Sequence, residues 1–174
     1  MLSNIIFFVK LIFKASPLLV IGDFKSQSYD ATRIQQGYIC STNGRTVRVR
    51  IRDNKGYLTI KGPSGLAGLT RYEYDMEIPL EDAYDLMRIC EPGIIDKTRF
   101  LVKSPDGKHT WEIDEFYGDN EGLILAEIEL AYEEEPFQKP DFIGREVTGD
   151  RRFYNSHMRT NPYKIWKEEI LEAK

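Results

Sequence analysis

Two short stretches of the sequence place charged side chains at every second position. AEIEL contains Glu127 and Glu129, and RTVRVRIR contains Arg48 and Arg50 in the same rhythm. Arginine binds two phosphate oxygens at once through its planar guanidinium group. Paired carboxylates bind hard divalent cations, which in turn bridge to phosphate oxygens. If the two stretches face one cavity, they predict a site for a polyphosphate and a divalent metal ion.

The same alternation recurs along most of the chain. In a β-strand, residues two apart share a face, so each alternating segment has one apolar face and one charged face. Beyond the two stretches above, the residues that share charged faces are Thr59 with Lys61, Glu73 with Asp75 and Glu77, Lys97 with Arg99, and Glu112 with Asp114.

Two arrangements of these strands fit the alternation. An open sheet with its charged face in water accounts for any single strand. The mixture of both charge signs, strand by strand, favours charged faces turned toward one shared interior. Arginines and lysines confined there would repel one another unless a multivalent anion lay between them. The apolar faces would then point outward and need cover, for which the sequence offers one long helix and a C-terminal tail.

Strands dominate the elements that the sequence predicts. Alternating segments predict strands at 34–40, 45–52, 57–62, 71–79, 94–102, 109–117 and 123–132. Short turns join most of them, which favours antiparallel pairing. Apolar residues at helical spacing predict a helix at 80–90. The tail from residue 141 predicts short helical and irregular pieces. We therefore predict an α+β, mainly β fold, an eight-stranded antiparallel β-barrel with a few helices outside it.

The composition is typical of one globular domain. The 174 residues carry a net charge of −4 with a pI near 5.3, whereas nucleic-acid-binding domains are generally basic. Cys40 and Cys90 lack metal-ligand spacing and predict free thiols, which indicates the cytoplasm. The N-terminal segment is apolar, but Lys10 and Lys14 interrupt it before it reaches the length of a membrane span. We expect a cytoplasmic protein that binds neither nucleic acid nor membrane; a homodimer is compatible with these features.

Several motifs together resemble a known family. RTVRVRIRDNKGYLTIKG, YEYDMEIPLEDAYDLM, CEPGIIDKTRFLV, WEIDEFYGDNEGLILAEIEL and KPDFIGREVTGDRRFYN follow one another in the order found in bacterial CYTH-domain proteins, also called triphosphate tunnel metalloenzymes. The similarity runs from about Gly22 to Trp166. It implies an eight-stranded antiparallel barrel that forms a tunnel, in which a triphosphate and a divalent metal ion, Mg²⁺ or Mn²⁺, are bound.

The resemblance also implies an activity and a set of site residues. Many members hydrolyse inorganic tripolyphosphate; others act on nucleoside triphosphates or thiamine triphosphate, and a few make cyclic AMP. By motif, the implied phosphate ligands are Arg48, Arg50, Lys61 and Arg99. The implied metal ligands are Glu127, Glu129 and Asp114. Further acidic residues of the tunnel are Glu73, Asp75 and Glu112, and Glu146 lies in a segment expected to close one tunnel end near the metal.

The first strand departs from the family pattern. Family members begin with E-x-E-x-K, which is implied to hold a second metal ion and a phosphate. Phe13 and Ala15 stand where the glutamates belong, and Pro17 stands where the lysine belongs. Proline also lacks a ladder N–H, so it predicts an edge strand or a bulge there. We accordingly divide the chain into an atypical segment, residues 1–21, and a CYTH-like triphosphate tunnel domain, residues 22–174.

Two explanations of this departure remain open. Residues 1–21 result from a frameshift or a misassigned start, or the protein is a degenerate member of the family. The family pattern resumes abruptly at about Leu19, which favours the first explanation. Our main prediction is a metal-dependent triphosphate hydrolase. The alternatives are a catalytically impaired protein that binds triphosphate or polyphosphate, and an adenylate cyclase of the CYTH class, for which no base-binding pocket is evident.

Overall fold

Antiparallel strands form most of the protein. The computed structural model describes residues 13–14, 17–42, 44–64, 71–132 and 134–172. The strands are β1 (Phe13–Lys14), β2 (Leu18–Val20), β3 (Ser28–Thr42), β4 (Arg45–Arg52), β5 (Lys55–Ser64), β6 (Arg71–Ile78), β7 (Ile95–Lys103), β8 (Thr110–Phe116), β9 (Ile124–Leu130) and β10 (Ile143–Glu146). The helices are α1 (Leu80–Arg88), α2 (Asn155–Met158) and α3 (Tyr163–Glu172), with 3-10 turns at Lys25–Gln27, Gly118–Asn120 and Arg151–Phe153.

All strands belong to one antiparallel sheet. Its order is β10-β2-β9-β8-β7-β3-β4-β5-β6, and β1 also pairs with β9. Short turns keep neighbouring strands adjacent, as at the β4–β5 hairpin, where Asp53 takes the positive φ of 51° that such tight turns require. β3 has 15 residues and bridges the two halves of the sheet, because it pairs with both β4 and β7.

The prediction of a closed barrel is wrong for this structure. Within the described residues the sheet is open, and β6 and β10 are its two outer strands. β10 lies in the tail that we predicted to be helical and irregular. It pairs with β2 through Ile143 and Val20. A strand edge offers one set of backbone donors and acceptors, so the edge of β2 that β10 occupies cannot also pair with β6.

The first strand is split at the position of Pro17. β1 places Lys14 opposite Glu129, and β2 places Leu18 opposite Ala126. The register on β9 therefore shifts by one residue between Lys14 and Leu18. Proline cannot donate to the ladder; its carbonyl accepts the Val147 N–H at 2.9 Å. The predicted edge position is not observed, because β2 lies between β9 and β10; the predicted bulge involves residues 15 and 16, which lie outside the described residues. Ala15 is outside the described residues, as are residues 1–12.

The apolar face of the sheet is covered at two places. At β4 and β5, Val49 and Ile51 are buried against Ala83 of α1. At β8 and β9, the apolar face, which continues onto β2, packs against Phe24 and against Phe142 of the segment that precedes β10. The buried residues there include Leu18, Phe24, Trp111, Ile113, Ala126, Ile128 and Phe142. Thus residues on both sides of the predicted boundary at residue 21 contribute to one core; the boundary itself stays a prediction. In the described ranges, no helix is both long and apolar enough to cross a membrane.

Candidate functional site

The strand register brings the arginine and glutamate motifs onto one face of the sheet. Residues opposite each other in an antiparallel pair project to the same side. Glu127 on β9 lies opposite Glu112 on β8. Asp114, two residues further along β8, lies opposite Arg99 on β7. Across β3, the same side carries Gln36 opposite Arg50. We call this side the charged face; its ionisable residues include Arg48, Arg50, Lys61, Glu73, Asp75, Lys97, Arg99, Glu112, Asp114, Glu127 and Glu129.

The C-terminal tail covers one end of the charged face. Beyond the ionisable residues, this side of the sheet continues with Ile95, Phe116 and Leu125, all buried. They form one apolar cluster with the tail residues Phe153, Met158, Tyr163, Trp166 and Ile170. Trp166 contacts the rings of Phe153 and Tyr163 edge-on, and its Nε1–H donates to the Asn161 carbonyl at 3.0 Å. The tail therefore excludes water from this end of the site.

A buried ion-pair cluster lies next to this apolar end. The Lys97 ammonium donates to Asp114 Oδ2. Arg99 binds both Asp114 oxygens, at 2.7 Å each, and donates to Glu112 Oε2 at 2.5 Å. Burial lowers the pKa of Lys97 to about 8. Burial raises the pKa of Asp114, but the charges of Lys97 and Arg99 outweigh it and hold the pKa well below 3.8. These cations are already neutralised by carboxylates.

Arg48 and Arg50 have different surroundings from Arg99. Arg50 donates to Gln36 Oε1 from Nε at 3.2 Å and from Nη2 at 2.9 Å. Arg48 donates to the Thr59 hydroxyl at 2.8 Å, while the Asp75 carboxylate is 3.9 Å away, beyond hydrogen-bond distance. Burial, followed by the charges of Arg48 and Arg99, lowers the pKa of Arg50 to about 10, so it is still positive at neutral pH. Two largely buried cations thus have mainly neutral hydrogen-bond acceptors, which favours an anion beside them.

The acidic residues of β6 lie at the more open side of the charged face. Lys61 pairs with Glu73 at 3.0 Å, and the Thr59 hydroxyl donates to Asp75. The side chains of Glu73 and Asp75 are 47% and 53% exposed, compared with 14% for Arg48. Exposed pairs of this kind contribute about 0–1 kcal/mol to stability, so Lys61 can exchange its carboxylate for another anion at low cost.

Glu112, Glu127 and Glu129 are the carboxylates best placed for a metal ion. Glu127 and Glu129 are two residues apart on β9, and Glu112 lies opposite Glu127. No group of three or more potential metal-binding side chains comes together within the described part of the chain. Mg²⁺ commonly uses only one or two carboxylates together with substrate oxygens and water, and this donor set fits it. Both Asp114 oxygens accept N–H bonds from Lys97 and Arg99, so a metal role suits Asp114 least.

Glu146 lies apart from the other predicted site residues. It is exposed on β10 and accepts a hydrogen bond from the Thr148 hydroxyl. In the sheet, β2 separates it from the glutamates of β9. It borders a surface cleft of about 370 Å³ between β10 and α3, which is lined by charged pairs such as Arg152 with Glu169. The structure therefore does not bring Glu146 together with Glu127.

Two residues of the charged face, Gln36 and Tyr38, were not predicted from sequence, and Thr59 and Lys97 were predicted on it without a role in the site. Lys97 is fully buried, Thr59 connects Arg48 to Asp75, and Gln36 with Tyr38 supports Arg50. Lys97 is two residues from Arg99, and Thr59 is two residues from Lys61, so the sequence predicts the face of the sheet on which they lie. It does not predict which side chains they contact. For Gln36, the only signal is a polar residue between the apolar residues of a strand segment, which does not by itself indicate a site.

Comparison with known proteins is consistent with this geometry. The CYTH domain family matches residues 10–154. A protein of Acetivibrio thermocellus named inorganic triphosphatase is 47% identical over 151 residues, covering 86% of this chain and 94% of that protein. A second protein of that name, from Nitrosomonas europaea, is 31% identical over 139 residues, covering 78% and 89%. A crystal structure of an inorganic triphosphatase matches with a TM-score of 0.66 at 27% identity, covering 85% and 93%. The chain belongs to the CYTH domain family.

Proposed function

We propose that this protein binds inorganic tripolyphosphate on the charged face and hydrolyses it with the help of a divalent metal ion. The observation that carries the proposal is the pair Arg48 and Arg50, largely buried, with mainly neutral hydrogen-bond acceptors, on the same face as Glu127 and Glu129. The relatives named inorganic triphosphatase support the same substrate.

The basic residues have two different roles in this proposal. Arg48, Arg50 and Lys61 contact phosphate oxygens directly, because an incoming anion meets either a neutral acceptor or an exposed, weakly held carboxylate. Arg99 and Lys97 form the buried end of the site, where Asp114 and Glu112 hold them in fixed positions. Because those carboxylates largely cancel their charge, the charge that develops during phosphoryl transfer is stabilised mainly by Arg48, Arg50 and Lys61.

The acidic residues of β9 complete the site. Glu127 and Glu129, with Glu112 opposite, would hold Mg²⁺ or Mn²⁺. A metal ion there supplies Lewis-acid stabilisation of phosphate charge when it is bound. The carboxylates repel any phosphate group that is not separated from them by a cation. This repulsion directs the phosphate chain toward Arg48 and Arg50.

The first strand favours a second candidate, a protein that binds triphosphate with impaired hydrolysis. Phe13 pairs with Leu130 and Lys14 with Glu129, and Pro17 lies outside the ladder. Phenylalanine, alanine and proline side chains supply neither a metal ligand nor a cation. The division of the chain into an atypical segment, residues 1–21, and a triphosphate tunnel domain, residues 22–174, is part of this second proposal. The cytoplasmic location and the homodimer remain predictions from the sequence. Cys40 and Cys90 have free thiols, which is consistent with a cytoplasmic location.

A phosphate-release assay separates the two candidates. Tripolyphosphate, pyrophosphate, ATP and thiamine triphosphate are each incubated with Mg²⁺ or Mn²⁺, and cyclic AMP is measured in the ATP sample. The protein is compared with a variant in which the family motif replaces residues 13–17, through Phe13→Glu, Lys14→Ile, Ala15→Glu, Ser16→Arg and Pro17→Lys. Turnover of tripolyphosphate by the unaltered chain supports the hydrolase. Turnover only after replacement, with binding before it, supports the impaired protein.

Glu127→Gln provides the control for the metal site. It removes one carboxylate charge while preserving size, so we expect the metal concentration needed for half-maximal binding or turnover to rise at least tenfold. Glu121→Gln, on the exposed turn before β9, changes the net charge equally and should have no effect. An unchanged metal requirement in Glu127→Gln would contradict the assignment, and absence of tripolyphosphate binding in every variant would contradict the function.

A further inference from the structure

A fully buried amide side chain lies under one of the arginines of the charged face. Gln36 of β3 has 0% of its surface exposed, in a strand whose other buried side chains are mostly apolar. Burying an amide is costly unless its polar atoms have partners. Gln36 has them on both sides: its Oε1 accepts from Arg50, and its Nε2 donates to the Tyr38 hydroxyl at 3.0 Å.

The two partners determine how the amide is oriented. Arg50 can only donate, so it faces the carbonyl oxygen of Gln36. The amide nitrogen then faces the Tyr38 oxygen, which accepts. Burial raises the pKa of Tyr38, so its hydroxyl keeps its proton. The chain Tyr38–Gln36–Arg50 therefore has one net charge, the positive charge of the guanidinium group.

The contrast with Arg99 shows what this arrangement achieves. Arg99 is held by Asp114 and Glu112, two carboxylates that also cancel its charge. Gln36 gives Arg50 the same kind of two-bond anchor, through Nε and Nη2, without a negative charge. Two of the five guanidinium N–H groups are used by the anchor, and three remain for a ligand.

We propose that Gln36 is a positioning residue that fixes the Arg50 guanidinium while leaving its positive charge available to a substrate phosphate. The inference rests on the proposed function, because it requires an anionic substrate at Arg50. It assigns Gln36 no contact with the substrate. Its effect on affinity comes entirely from the orientation and the uncompensated charge of Arg50.

The decisive variant is Gln36→Glu. Glutamate has nearly the same shape and can accept the same two N–H bonds, so a purely structural anchor would be preserved or strengthened. The added carboxylate would, however, neutralise Arg50 as Asp114 neutralises Arg99. We expect the dissociation constant for tripolyphosphate, measured by calorimetry with EDTA present, to rise about 10- to 100-fold, as for the loss of a charged hydrogen bond. The thermal midpoint should stay at or above that of the unaltered protein when the substrate is absent.

Gln36→Met and two neighbouring variants complete the test. Gln36→Met preserves volume but removes the anchor, so both affinity and the thermal midpoint should fall. Gln35→Glu and Gln35→Met are the controls, because Gln35 is the next residue, exposed on the opposite face. They should leave tripolyphosphate affinity within about twofold, since exposed substitutions away from a site have small effects.

The outcomes distinguish this inference from the function on which it rests. If the unaltered protein binds tripolyphosphate and Gln36→Glu binds it equally well, the positioning role is wrong and the function stands. If the unaltered protein binds tripolyphosphate neither with EDTA nor with Mg²⁺ present, the function is wrong and the inference is wrong with it. Should Gln36→Glu fail to fold, unchanged affinity in folded Gln36→Met would overturn the positioning role.

Discussion

At the scale of single residues, the buried cations of this protein divide into two classes. Lys97 and Arg99 contact carboxylates, whereas Arg50 contacts an amide. The first class gains stability from its partners and offers little net charge. The second class retains its charge in a water-poor place and is therefore the one suited to an anionic ligand. A count of arginines and lysines in the sequence does not separate these classes.

Asp114→Asn tests the first class. The change leaves Lys97 and Arg99 buried without their shared negative partner, and breaking such a pair costs about 3–5 kcal/mol. We expect that loss in the free energy of unfolding measured with urea at pH 7. Asp96→Asn is the matched control: Asp96 also pairs with an arginine of a neighbouring strand, but that arginine, Arg33, is 48% exposed. Its loss should cost within about 1 kcal/mol. Equal effects of the two substitutions would contradict the assignment.

At the scale of elements, close approach of α1 to the sheet depends on a residue without a side chain. Gly56 lies at the start of β5, and a Cβ atom added there would be 2.6 Å from Ala83 Cβ. α1 covers β4 and β5 through Ala83, so two small residues face each other at the contact. Helix and sheet can then pack tightly enough to bury Val49 and Ile51.

Gly56→Ala should therefore destabilise the protein. The added methyl overlaps Ala83, and overpacking of this kind costs about 1–3 kcal/mol. Combining it with Ala83→Gly removes the overlapping atom, so the double variant should be more stable than the sum of the two single effects predicts. Urea unfolding of the four proteins of this double-mutant cycle provides the measurement. Strict additivity would show that the helix is not held at this contact.

At the scale of the whole molecule, the described part of this acidic chain contains a strongly buried charge cluster, and this should appear in its response to pH. The pKa of Asp114 is below its ordinary value of 3.8, so the native state binds fewer protons than the unfolded chain in acid. Its contribution to stability is fully present above about pH 4 and is lost as the pH falls through the lowered value.

We expect the free energy of unfolding of the unaltered protein to fall steadily from pH 4 to pH 2. Asp114→Asn lacks this titration, so its smaller stability should depend less on pH over the same range. Urea unfolding at half-unit steps of pH measures both curves. Parallel curves would show that Asp114 does not contribute to the acid sensitivity, while a steeper curve for Asp114→Asn would reverse the sign that we predict.

The sequence alone determined the strands, their alternation and the family. Period-two patterns between turn residues predicted β4 with its observed bounds, 45–52, and most other strands within a few residues, because alternation reports directly which face is buried. The same patterns placed Arg48, Arg50, Lys61, Arg99, Glu127 and Glu129 on charged faces. The interruption of the first strand before Leu18 also followed from sequence, since Pro17 has no N–H to donate.

Only the tertiary structure decided how these faces combine. Strand order and register depend on contacts between distant segments, and they assign Asp114 to Lys97 and Arg99, and Gln36 to Arg50. The open sheet depends on β10, a four-residue strand too short to give an alternation signal of its own. Strand register decides which side chain contacts a buried cation, and that contact decides whether the cation is neutralised or available to a ligand. The local sequence around the cation does not predict this contact.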